Sequence, residues 1–139
     1  MTDDLFRFST TLEVRWRDLD PMGHVNNAVY FSYLEQARVH YLRELGVVAR
    51  SPSGIGFILA DASCQFKSPL ELGERVTIRT RVSQMRNSSF VFEYHARGED
   101  GRLVATARTV QVFYDYEARR PMPIPAEWRD AVTAYEPAM

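Results

Sequence analysis

A chain of 139 residues has the length of one domain, and 45% hydrophobic with 25% charged residues is an ordinary globular composition with enough apolar side chains for a two-layer core. With 17 basic and 18 acidic residues, the net charge of -1 excludes a nucleic-acid partner held by bulk charge. A single cysteine, Cys64, excludes an intrachain disulfide, and no signal peptide or long apolar span is read, so the expected compartment is the cytoplasm.

Residues 1–5 read as a loose polar end. From Phe8 to Trp16, period two sets Thr10, Leu12, Val14 and Trp16 against Thr11, Glu13 and Arg15, the pattern of a half-buried antiparallel strand. The pattern breaks at Pro21 and Gly23. A helix is expected from about Asn27 to Leu45, with Asn26 as its N-cap and Gly46 as its stop. Tyr30, Tyr33, Leu34, Ala37, Tyr41 and Leu45 make its apolar stripe, with Ser32, Gln36, His40 and Arg43 off it. Val47 to Ile55 reads as a connection. Four strand-like runs follow. Phe57 to Lys67 places Ile58, Ala60, Ala62, Cys64 and Phe66 on one side. Arg75 to Ser83 alternates Val76, Ile78, Thr80 and Val82 with Thr77, Arg79 and Arg81. Phe90 to Arg97 alternates Phe90, Phe92, Tyr94 and Ala96 with Glu93, His95 and Arg97. Asp100-Gly101 signals a hairpin into the last run, Leu103 to Tyr114. Arg119 to Pro125 reads as a crossing segment and Glu127 to Tyr135 as a short terminal helix. The order specifies α+β: a five-stranded antiparallel sheet wrapped around one long helix, in a single domain over residues 1–139.

Titratable residues crowd into the strand-to-helix break: Asp18, Asp20 and His24. The helix beginning at Asn27 offers unpaired N–H groups that can polarise an ester or thioester carbonyl, and a cap uses only one or two of them. Asp20 precedes Pro21 and the helix start. It fits a general base or a nucleophile on a carbonyl carbon, while its spacing alone favours a turn-forming or capping aspartate. Asp18 reads as a surface carboxylate paired with Arg15 or Arg17. His24 fits a group that orients water or serves a leaving group, or a helix-entry residue bonded to a carbonyl. Three scattered histidines, one cysteine and no glycine-rich phosphate loop leave no metal or organic cofactor expected. Glu35 and Arg38, three apart, fit a structural ion pair on the helix. Arg79, Arg81, Arg97 and Arg108 read as a solvated sheet face. The turn residues Arg86, Ser88 and Ser89 are the candidates for receiving phosphate groups. Cys64 reads as a buried structural thiol.

Trp16-Arg17-Asp18-Leu19-Asp20-Pro21-Met22-Gly23-His24-Val25-Asn26-Asn27-Ala28-Val29-Tyr30, continuing into Tyr33-Leu34-Glu35-Gln36-Ala37-Arg38, resembles the 4-hydroxybenzoyl-CoA thioesterase family of hotdog-fold proteins. The run Arg86-Asn87-Ser88-Ser89-Phe90 agrees with it, and the resemblance covers nearly the whole chain. It implies hydrolysis of acyl-CoA or acyl-carrier-protein thioesters without a metal or organic cofactor, coenzyme A entering only as part of the substrate. It implies dimers or tetramers with sites across the subunit interface, and no nucleic-acid or membrane partner. It assigns the catalytic aspartate to Asp20 and the carbonyl-polarising N–H to Asn27, seven positions on. Some bacterial relatives carry a catalytic histidine where Asn27 stands. Plant acyl-carrier-protein thioesterases carry an asparagine at the place of Met22 and a histidine matching His24. The acyl chain is expected near Tyr30, Tyr33, Phe57 and Ile58, from their apolar character. Two other readings stand beside this one: a non-hydrolytic module binding acyl-CoA or acyl carrier protein, and a dehydratase or hydratase on the same fold.

Overall fold

The computed structural model describes residues 2–47, 55–137 and 139. Strand β1 spans Phe8–Glu13, helix α1 Asn27–Glu44, β2 Ile55–Phe66, β3 Arg75–Met85, β4 Ser89–Arg97, β5 Leu103–Asp115, β6 Arg120–Pro121 and helix α2 Ala126–Tyr135. Every pairing is antiparallel, in the order β1-β3-β4-β5-β2, and the short β6 adds to β5. This is the hotdog arrangement expected from the sequence, α1 lying against the sheet. The expected connection at residues 47–55 falls mostly outside the described residues.

Helix α1 begins where Asn26 Oδ1 accepts from Ala28 N–H at 2.8 Å. It ends in a double backbone closure, Gly46 N–H to Arg43 O and Val47 N–H to Leu42 O. That closure needs a left-handed residue after the helix, and Gly46 supplies it at φ 75°. Its buried face packs over β1 and β3. Tyr41 is fully enclosed, edge-on to Phe8, Phe92 and Tyr135, and its hydroxyl donates to Glu136. Burying such aromatic rings supplies about 2 kcal/mol each, the main term holding helix to sheet.

Burial along β3 and β4 alternates as the sequence predicts, Val91 being an additional buried residue. Five expectations are corrected. β1 ends at Glu13, because the chain turns into one 3-10 turn at Trp16–Asp18, which leaves Trp16 78% exposed. In β2 the register shifts between Leu59 and Asp61, so Ala60 is an extra residue and parity reverses there. The helix-facing residues are therefore Phe57 and Leu59, then Ala62, Cys64 and Phe66; Ile58 points to the opposite face. Arg38 does not make a surface pair with Glu35. It lies on the buried face of α1 and its Nη1 donates to Tyr94 Oη at 3.2 Å. Asp18 is buried rather than at the surface. The polar end is tied down: Asp3 pairs with Arg79, His95 and Arg97 at 2.8–3.1 Å across the outer sheet face, and Phe6 packs on the His95 ring.

Candidate active site

The break between β1 and α1 is a small closed loop. Leu19 and Val25 form a bridge, Asp20 N–H donates to His24 O, and Gly23 N–H donates to Asp20 O. Gly23 takes φ 84°, which turns the chain back so that His24 N–H can approach Asp20. Val25 N–H donates to Leu70 O and Val14 N–H to Glu74 O, so the loop is pinned to the segment before β3 at both ends. Asp18 anchors it from below. Its carboxylate accepts from Arg15 N–H, from the Arg15 guanidinium and from Tyr33 Oη at 2.6 Å, and its backbone carbonyl accepts from Asn26 N–H. Burial acts to raise the Asp18 pKa, and the bonds from Arg15 and Tyr33 outweigh it, holding the carboxyl below its usual range.

Asp20 sits above this anchor, half-buried. Its Oδ1 accepts from Met22 N–H at 2.9 Å and from His24 N–H at 3.4 Å, so it does form the turn that Asp-Pro suggests. Its Oδ2 has no hydrogen bond among the described residues. At the helix start, the Asn26 side chain takes Ala28 N–H and the Asn26 carbonyl takes Val29 N–H. The Asn27 N–H has no acceptor among the described residues, so capping leaves one donor open at the positive end of α1. Asp20, His24 and Asn27 line one cleft of about 300 Å³ with Val25, Tyr30, Phe66, Lys67, Ser68 and Pro69. Asp20 and Asn27 thus line a single space, and a carboxylate with a free N–H is the pairing that attack on a carbonyl requires. Asp20 also borders an apolar hollow of about 470 Å³ lined by Trp16, Arg17, Leu19, Pro21 and Gly23. His24 is exposed, with no side-chain bond among the described residues.

The remaining candidates are placed unequally. Tyr30 lines the cleft, edge-on to Phe66, and burial pushes its hydroxyl up to about 12. Tyr33 lies behind it with its hydroxyl committed to Asp18. Phe57 packs among Phe90, Phe113 and Trp128 at the far end of β2, and Ile58 is exposed on the other face. Arg86, Ser88 and Ser89 form the β3–β4 turn, whose carbonyls accept from Phe113, Ile124 and Arg129. Within one chain, none of these last five residues reaches the cleft. Cys64 is half-buried beside Tyr30, with its thiol pushed up to about 11 by burial, as suits a structural thiol. Sequence reasoning missed Phe66, Lys67 and Ser68 as cleft residues. They arrive from the end of β2, held by Lys67 N–H and Ser68 N–H on Val104 O; the Ser-Pro turn marked them only as a boundary.

The fold recurs in solved structures. A Pseudomonas aeruginosa protein, PA5185, superposes with a TM-score of 0.86 at 30% identity, over 98% of this chain and 96% of that one. The gentisyl-coenzyme A thioesterase BH1999 superposes with a TM-score of 0.82 at 31% identity, over 90% of this chain and 98% of that one. The long-chain acyl-CoA thioesterase FadM of Escherichia coli K12 is 27% identical over 123 residues, 87% of this chain and 93% of FadM. The family description "Thioesterase-like superfamily" matches residues 14–132, a span that runs from the foot of the Asp20 loop to the last turns of α2. The loop, the helix it opens and the sheet beneath them are thus one inherited unit, and the chain belongs to the thioesterase-like superfamily.

Proposed function

We propose that the chain, acting as a single hotdog domain, hydrolyses acyl-CoA thioesters, and that within its superfamily it falls with the 4-hydroxybenzoyl-CoA thioesterases. The observation that carries this reading is that Asn27, whose N–H has no acceptor among the described residues, lines the same cleft as Asp20. The thioester oxygen sits at the Asn27 N–H, where the helix dipole favours developing negative charge. Asp20 attacks the carbonyl carbon or draws a proton from a water that does so. The tetrahedral centre collapses with loss of the C–S bond. Acid and thiol are released, the elements of water having been consumed. His24 positions the water or the leaving thiol. Lys67 at the rim suits the anionic portion of the carrier. Thiolate is a good leaving group, so this sparse set suffices without metal or organic cofactor, coenzyme A being part of the substrate.

The site is completed by a second copy. Among the described residues β2 pairs with β5 on one side only, and Leu59 is 50% exposed, with Ile58 and Phe66 also exposed along the same strand. Antiparallel pairing of two β2 edges brings the start of the second copy's β2, where Phe57 shares the face of Phe66, toward the cleft at the end of this one. The compartment that suits one unpaired cysteine is the cytoplasm. Among the described residues no helix is long and apolar enough to cross a membrane.

Thiol release from short, long and aromatic acyl-CoAs tests the reading. Asp20→Asn is expected to cut kcat by about 10²-fold or more while melting like the parent. Retained turnover overturns the assignment. Absence of release together with thermal stabilisation by acyl-CoA favours the non-hydrolytic module instead.

A further inference from the structure

Ser68 lines the same cleft as Asp20 and Asn27. Its side chain is held by Arg102, which sits at the β4–β5 hairpin and is not among the residues lining that cleft. Arg102 Nε donates to Ser68 Oγ at 3.1 Å. Its Nη1 donates to Glu74 at 2.7 Å and to Asp100 at 2.8 Å, and its Nη2 to the Pro69 carbonyl at 2.6 Å and to Glu74 at 3.0 Å. A guanidinium has five N–H groups, and here each one has an acceptor. Arg102 is therefore a clamp rather than a mobile charge, and it grips two consecutive residues of the cleft wall, Ser68 and Pro69. The backbone there is fixed as well, since Lys67 N–H and Ser68 N–H both donate to Val104 O. Gly98 makes room for the clamp: a Cβ at that position would stand 2.5 Å from Glu74 Oε2 and 2.6 Å from Arg102 Nη1.

The clamp decides what the Ser68 hydroxyl can do. A guanidinium only donates, so Ser68 Oγ accepts from Arg102 and its own proton points elsewhere. Among the described residues that proton has no acceptor, and no base is bonded to Oγ. Ser68 is thus an unactivated nucleophile but an oriented donor. Tyr30 also lines the cleft, and its hydroxyl makes no hydrogen bond among the described residues. Nothing orients that hydroxyl, whereas Arg102 orients the one on Ser68.

We propose that Ser68 is a further catalytic residue, its hydroxyl donating to the thioester oxygen beside the Asn27 N–H, and that Arg102 is its positioning residue. This rests on the thioesterase reading of the Asp20 cleft. Attack on the carbonyl carbon moves negative charge onto that oxygen, and donors aimed at it in advance lower the barrier because nothing has to reorient during the reaction. The start of α1 leaves one N–H open, at Asn27. Ser68 brings a second donor from the end of β2 to the same space of about 300 Å³. The two donors come from separate elements, and the fully bonded Arg102 keeps the second from turning away between turnovers.

The test is steady-state hydrolysis of decanoyl-CoA and benzoyl-CoA by Ser68→Ala, Ser68→Thr, Arg102→Met and the double variant of Ser68→Ala with Arg102→Met. Ser68→Ala is expected to lose about 10²-fold in kcat with KM close to the parent's, since the lost bond matters in the transition state. Ser68→Thr keeps a hydroxyl and is expected to keep most of kcat. Arg102→Met is expected to lower kcat about 10-fold on its own and to add nothing in the Ser68→Ala background, because it acts through that hydroxyl. Should Arg102→Met fail to fold, Gly98→Ala displaces the same guanidinium and completes the comparison. Parental kcat in Ser68→Ala overturns the inference, as does a loss that falls on KM, an equal loss in Ser68→Thr, or an Arg102→Met effect that is the same with and without Ser68. A fall in kcat for Tyr30→Phe but not for Ser68→Ala overturns it in favour of Tyr30. An acidic limb of the kcat profile displaced to higher pH in Ser68→Ala would place the hydroxyl on the Asp20 carboxylate and overturn it too. Release of thiol that does not depend on Asp20 overturns the thioesterase reading itself, an outcome read on Asp20→Asn and independent of Ser68.

Discussion

Asp18 and Asp20 stand two residues apart in surroundings that give them different work. An extended chain would put both carboxylates on one face. The 3-10 turn at Trp16–Asp18 rotates Asp18 inward onto Arg15 and Tyr33, while Asp20 keeps one oxygen without a hydrogen bond among the described residues and lines the cleft. Tyr33 is thereby spent on scaffolding. Tyr33→Phe is expected to cost about 1–2 kcal/mol of stability, by removing a bond to a buried carboxylate, and to leave KM for acyl-CoA unchanged. Thermal melts and steady-state kinetics check this, and a KM effect without a stability effect would return Tyr33 to the substrate. Asp20, His24 and Asn27 were legible because they lie within eight residues of one motif, where loop geometry brings neighbours together. Lys67 and Ser68 were not, because they reach the cleft through strand pairing forty residues downstream. Arg38 was misread because spacing to Glu35 is a local signal, and burial against Tyr94 overrides it.

At the level of elements, α1 is held by one further polar contact at its far end. Tyr41 and the Val82 N–H both donate to Glu136 Oε2, just after α2, and Glu136 Oε1 is buried without a partner. Burial, only partly offset by these bonds, pushes the Glu136 carboxyl above its usual range. A folded-state pKa above the unfolded one means the group favours folding fully below the unfolded value. That contribution is lost as pH rises through the folded value. Glu136→Gln has no proton to lose there, so its stability relative to the parent is expected to rise as pH climbs from the ordinary glutamate range toward neutrality. Denaturant titrations at several pH values read this, and a constant difference would show that Glu136 titrates normally. Element types and most faces followed from periodicity. The face of β2 did not, because the extra residue at Ala60 reverses parity without a change in composition.

For the whole molecule, the open edge of β2 is the surface through which we propose two copies assemble. Ile58→Lys together with Leu59→Lys places two charges on that edge and is expected to convert dimers to monomers in sedimentation velocity, with loss of turnover. A dimer that survives both substitutions would move the interface elsewhere. The strand order has a further consequence. β1 and β2 precede the other strands in the chain, yet they lie at opposite edges of the sheet and, among the described residues, bond only to β3 and β5. On the ribosome, the chain through Phe66 emerges with β1 and β2, which do not pair with each other in the native register, and α1 without β3 to lie on. Productive collapse waits for the β3–β5 meander. Until then the strand that we propose joins two copies is exposed, so on that reading nascent chains held close together on one message are poised to associate through it before either has finished folding.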